Sequence, residues 1–98
     1  MNTYMVVTKL PKEITEEFIS LIPKQRAQVN KLMDESKVLH YSLAIDRSLL
    51  WITIAAESET AVMDILSTFP LIDYMKPEII ELAFHNSISN ELPKLIMN

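Results

Sequence analysis

His40 and His85 are the only histidines in the chain. Imidazole is the one side chain whose unperturbed pKa lies close to neutral, so these two positions are the first candidates for moving protons. Strand alternation groups His40 with Val38, Ser42 and Ala44, and groups His85 with Ile79, Glu81 and Ala83. The complementary sets, Leu39, Tyr41, Leu43 and Ile45 on one segment and Ile80, Leu82 and Phe84 on the other, are strongly apolar and belong against helices. The expectation is an open sheet face carrying His40, Ser42, Glu81 and His85. Trp51 and Thr53 are assigned to the same face from a third strand, and Tyr4, Val6 and Thr8 join them from the first. Two imidazoles and a carboxylate suit general acid–base work. Tyr4, Ser42, Trp51 and Thr53 would supply the aromatic wall and polar contacts of a small-molecule site. Tyr74 offers a phenolic donor to a substrate oxygen.

Composition removes several other chemistries. The chain has no cysteine, so disulfides, thiolate metal sites and cysteine nucleophiles are excluded. It has no glycine, where average usage in 98 residues would give about seven, so glycine-rich phosphate loops are excluded too. The histidines lack metal-ligand spacing, and neither metal nor cofactor is expected. With 9 basic and 13 acidic residues the net charge is −4, and the basic residues are scattered apart from Lys24-Gln25-Arg26; a nucleic-acid partner is not expected. No apolar run is long enough to cross a membrane and no signal peptide is visible, which makes the cytoplasm the default location. An apolar content of 49% is high for a lone small domain and points to surface shared in a homo-oligomer.

These residues need elements to position them. Tyr4 to Lys9 reads as a strand that stops at Pro11. Thr15 is a helix N-cap with Glu16 and Glu17 in the first turn. Phe18, Ile22, Gln25, Val29, Leu32 and Met33 follow as one stripe, kinked at Pro23. Val38 to Ile45 and Leu49 to Ala56 form a hairpin turned at Asp46-Arg47-Ser48. Ser58 caps a second helix with Val62, Ile65, Leu66 and Phe69 on its apolar face, ended by Pro70. Ile79 to His85 is the fourth strand. The order β-α-β-β-α-β is that of a ferredoxin-like α+β sandwich, an antiparallel four-stranded sheet with two helices on one face. One domain covers 1–87. The tail 88–98, apolar at Leu92, Leu95, Ile96 and Met97, is expected to dock on its own or a neighbouring subunit.

Several short segments share one register with a known family. Lys9-Leu10-Pro11 looks like a strand-ending Lys-Leu-Pro. His40 stands where the family has the histidine of Arg-His-Leu-Trp-Arg. Phe69-Pro70-Leu71-Ile72-Asp73-Tyr74-Met75 is similar to Leu-Pro-Leu-Phe-Pro-Tyr-Met. Glu78 matches a glutamate, and His85-Asn86-Ser87 is similar to His-Pro-Ser. The chain thus resembles the muconolactone delta-isomerases, from the first strand to about Ser87. That resemblance implies a dimeric α+β barrel and a cofactor-free proton shift within a small unsaturated lactone. It implies His40 as base, His85 or Tyr74 as donor to the enolate oxygen, and Glu81 as a residue tuning a histidine. The family arginines flanking the first histidine and preceding the last are Leu39, Leu43 and Phe84 here, which leaves Arg47 and scattered lysines to meet a carboxylate. A non-catalytic binding or oligomerisation module and a cofactor-free monooxygenase-like barrel are the alternatives on the same fold.

Overall fold

The computed structural model describes residues 1–86. The tail 88–98 and its expected docking lie outside the described residues. The elements are β1 (Asn2–Lys9), α1 (Glu16–Asp34), β2 (Val38–Leu43), β3 (Leu49–Ala56), α2 (Glu59–Leu66), a 3-10 turn (Ile72–Tyr74) and β4 (Lys76–Glu81). The strands form one antiparallel sheet in the order β2-β3-β1-β4. Phe18, Val29 and Leu32 of α1 and Val62 and Leu66 of α2 bury against Val6, Ile52 and Ile54 in a single core cluster. Both helices therefore cover one sheet face, the ferredoxin-like arrangement.

Local chemistry sets the helix ends. The Thr15 hydroxyl accepts from the Phe18 amide at 3.1 Å and the Ser58 hydroxyl from the Ala61 amide at 3.1 Å, each satisfying one orphan donor of a first turn. α1 runs through Pro23 as one helix. It ends in a Schellman turn: the Lys37 amide reaches the Leu32 carbonyl at 2.9 Å, and Ser36 takes φ 61° where glycine is usual.

The strand faces differ from the expectation in three places. First, β2 carries an irregularity: Val38 pairs with Ile54 but His40 with Thr53, so Leu39 is an extra residue on its side of the ladder. The bulge breaks the alternation that would put Val38 and His40 together. Val38 turns into the core, 2% exposed, and His40 stays on the open face.

Second, Tyr4, Val6 and Thr8 pair across β3 with Ile54, Ile52 and Leu50, so all three face the helices; Tyr4 is a core residue at 3% exposure. Thr3, Met5 and Val7 take the open face instead. Either set of β1 is apolar enough for the core, and the pairing with the strongly apolar Leu50, Ile52 and Ile54 decides between them.

Third, β4 is shorter than expected and in the opposite phase. Val6 pairs with Ile79 and Tyr4 with Glu81, which places Ile79 and Glu81 on the helix side and Glu78 and Ile80 on the open side. The last ladder bond is the Leu82 amide to the Thr3 carbonyl at 2.9 Å. Residues 82–86 then leave the sheet.

Candidate functional site

The register builds the open face as two complete rungs. His40, Thr53, Met5 and Ile80 form one. Ser42, Trp51, Val7 and Glu78 form the next. Trp51 is 36% exposed, while Thr53 is only 2% exposed and donates to the Met5 sulfur at 3.7 Å. The segment after β4 returns to this face and brings the His85 ring to 5.1 Å from the His40 ring, centroid to centroid, at a tilt of 59°. The His85 Nε2 atom is buried there with no hydrogen-bond partner among the described residues.

Of the sequence-selected residues, His40, His85, Ser42, Trp51 and Thr53 therefore share a face, and the two histidines touch. The other three do not join them. Tyr4 lies in the core. Glu81 points to the helix side at the edge of the sheet, and Glu78 is the carboxylate of the open face. Tyr74 lies in the 3-10 turn and packs edge-on against Phe18 of α1, ring centroids 5.2 Å apart at 80°. A hydrogen bond to Glu17 is the main cause that raises the Tyr74 hydroxyl above its usual range.

A cavity of about 320 Å³ opens on the other side of the sheet, between α1, the β2–β3 hairpin and the turn after α2. Phe18, Ile22, Leu50 and Met75 form apolar walls. Its polar groups are Gln25, Tyr41, Arg26 and Arg47. Gln25 is the one polar residue of the α1 core stripe, and it is buried. Its Oε1 accepts from the Leu71 amide at 3.1 Å and its Nε2 donates to the Tyr41 hydroxyl at 3.2 Å. Burial raises the Tyr41 hydroxyl above its usual range, against smaller opposing effects of the Gln25 bond and the Arg26 charge.

Arg47 occupies the hairpin turn with φ 64°, its amide bonded to the Ala44 carbonyl at 2.9 Å. Asp46 accepts from the Ser48 amide at 3.0 Å and from its hydroxyl at 2.6 Å, which fixes the turn and holds the Asp46 carboxyl below its usual range. A shallower groove beside the cavity shares Arg47 and adds Lys9 and Lys12. Lys9, Lys12, Arg26 and Arg47 are four of the nine basic residues of an acidic chain.

Gln25 belongs to the α1 core stripe and Tyr41 to the apolar set of β2 in the sequence pattern, and Arg47 is the cation that pattern leaves, with scattered lysines, to meet a carboxylate. A polar side chain in an otherwise apolar stripe was the available signal. Among the described residues, no three His, Asp or Glu side chains gather as metal ligands, and no helix is long and apolar enough to cross a membrane.

A crystal structure of muconolactone isomerase at 3.3 Å resolution superimposes with a TM-score of 0.69 at 22% identity, over 88% of this chain and 93% of that one. That likeness concerns the fold. No curated protein matches the sequence. The family profile described as muconolactone delta-isomerase matches residues 3–88, nearly the whole chain. With the shared register of its short motifs and a ferredoxin-like sheet that carries them, the chain belongs to the muconolactone delta-isomerase family.

Proposed function

We propose that the protein performs the type of reaction its family is named for: a cofactor-free proton transfer that shifts the double bond of a small unsaturated lactone or related ring. His40 is the base that removes a proton beside the conjugated system, and its imidazolium returns a proton at the other end of the dienolate, which completes the shift of the double bond. His85 is the donor to the enolate oxygen. The supporting observation is the meeting of these two imidazoles from separate segments, ring centroids 5.1 Å apart, with the His85 Nε2 buried and without a hydrogen-bond partner among the described residues. An unsatisfied buried polar atom costs about 1–3 kcal/mol, which a ligand oxygen at that nitrogen would recover.

Ser42, Trp51 and Thr53 line the same face. Glu78 is its carboxylate, in the role first given to Glu81. Tyr4, Glu81 and Tyr74 take no part in this reading.

His40, Ser42 and Ile80 lie open on that face. Excluding water from that face would strengthen its electrostatic contacts and limit proton leakage from the intermediate. A second copy of this chain laid face to face would exclude that water, so the reading includes a homo-oligomer. Trp51→Glu would then convert the oligomer to monomer in light scattering; a wild type that is monomeric at micromolar concentration would remove this cover.

Ultraviolet-monitored isomerisation of muconolactone tests the reaction. Wild-type turnover that falls by about 100-fold or more in His40→Ala is expected for a general base. Turnover that survives in His40→Ala and His85→Ala would overturn the histidine assignment. A wild type without turnover would overturn muconolactone as the substrate.

A further inference from the structure

His40 and His85 are too far apart in the chain for any ligand spacing to join them, and it is the fold that brings them together. Their ring centres stand 5.1 Å apart at a tilt of 59°. Two imidazoles that share one tetrahedral ion each bind it at about 2.0–2.1 Å, which puts the ion about 3.2 Å from each ring centre and the two ring centres about 5.2 Å apart. Stacked parallel rings cannot share an ion, because an ion bound in the plane of one lies outside the plane of the other. The tilt removes that objection here. A neutral imidazole carries one N–H and one lone pair. The His85 Nε2 is buried with no hydrogen-bond partner among the described residues, and in the tautomer protonated at Nδ1 it is a bare lone pair.

We infer that His40 and His85 form a two-imidazole site for a divalent transition ion of the nickel, copper and zinc group, with water completing its coordination.

Donor chemistry selects that group. Imidazole nitrogen suits zinc, copper and nickel, whereas magnesium and calcium demand oxygen. Among the described residues no third His, Asp or Glu joins the pair, so the remaining positions fall to water. Charge permits a cation. Neither rung of the open face holds a lysine or arginine, and the chain carries a net charge of −4.

Backbone structure supplies the placement. The bulge at Leu39 interrupts β2 immediately before His40 and turns that imidazole to the open face while Val38 enters the core. β2 and β4 are the two edges of the sheet. The last ladder bond at the β4 edge is that of Leu82 to Thr3, and His85 follows it. An ion held by both rings would therefore tie the segment after β4 across the open face to the opposite edge.

An ion on His40 would occupy the lone pair that the proposed base needs, so Zn²⁺ should inhibit isomerisation; that consequence alone rests on the reaction proposed above. Binding is independent of it and is read without substrate.

The test is calorimetric titration of the full chain with Zn²⁺ and Cu²⁺, with Mg²⁺ as control. One equivalent of each transition ion per chain is expected, Cu²⁺ the tighter, and no heat from Mg²⁺. His40 is exposed and His85 lies beyond the ladder, so His40→Ala and His85→Ala leave the core intact. Each should weaken binding by at least about tenfold. Histidine side-chain NMR should show both imidazoles of the wild type shifting together with Zn²⁺. Hydrogen exchange at the Phe84 and His85 amides should slow with Zn²⁺ in the wild type and stay unchanged in His40→Ala. Loss of binding in one variant alone would overturn the pair. Undiminished binding in both would leave an adventitious ion only, and that result, like the absence of binding to the wild type, would overturn the site. A wild type that fails to isomerise muconolactone changes none of these readouts.

Discussion

Val6 of β1 stands directly opposite Ile79 of β4, and this one pairing decides which face every residue of β4 presents. Val6 is fully buried under the helices, so Ile79 packs on the core while Ile80, 44% exposed, looks the other way. Ile79→Ala should therefore cost about 2 kcal/mol in denaturant unfolding, the low end for removing a packed isoleucine side chain. Ile80→Ala should cost less than about 1 kcal/mol in the isolated protomer. The opposite ranking would mean that β4 pairs one residue out of register.

The element order was legible because each boundary has a local cause. Thr15 and Ser58 are caps whose hydroxyls accept from amides three residues on, and Pro70 cannot continue a helix. Strand phase was not legible in the same way. Ile79 and Ile80 are adjacent and equally apolar, so sequence satisfies either phase, and only pairing with Val6 chooses. The bulge at Leu39 has no residue signature of its own, yet it separates Val38 from His40. Of the site, strand alternation put His40 and His85 on one face, but β4 ends at Glu81 in the opposite phase, and it is the segment after the strand that brings His85 to His40. The Gln25–Tyr41 pair was not legible, because it joins a helix to a strand through a contact that neither periodicity reveals.

Thr8 is fully buried on the helix side, and its Oγ1 has no hydrogen-bond partner among the described residues. Valine has nearly the same shape and no hydroxyl to desolvate. Thr8→Val should raise the unfolding free energy by about 1–2 kcal/mol, because an orphaned buried hydroxyl is a penalty that the valine lacks. Chemical denaturation of the two proteins side by side measures it. A loss of stability would show that the hydroxyl finds a partner in solution.

Burial raises the Tyr41 hydroxyl above the ordinary value of 10.0, and this outweighs the opposing influence of Gln25 and Arg26. The folded chain thus holds that proton more tightly than the unfolded chain does. The associated stabilisation is complete below pH 10 and is lost as pH climbs through the raised folded value. Wild-type stability should fall in that alkaline window, and Tyr41→Phe should flatten the fall. Tyr74, also raised, leaves part of the decline in place. Thermal melts between pH 8 and pH 11 would follow the difference, and identical slopes for the two proteins would contradict it.

Among the described residues, Ser36 and Arg47 are the two with positive φ, at 61° and 64°. Each stands where glycine would relieve a steric cost of about 1–2 kcal/mol. Glycine also loses more backbone freedom on folding, so each substitution should gain about 1 kcal/mol or less. Chemical denaturation of Ser36→Gly and Arg47→Gly beside the wild type measures the gain. Ser36 closes α1 and Arg47 turns the β2–β3 hairpin, so the two gains should add in the double variant. A loss in either single variant would mean that the side chain, rather than the backbone conformation, holds that turn.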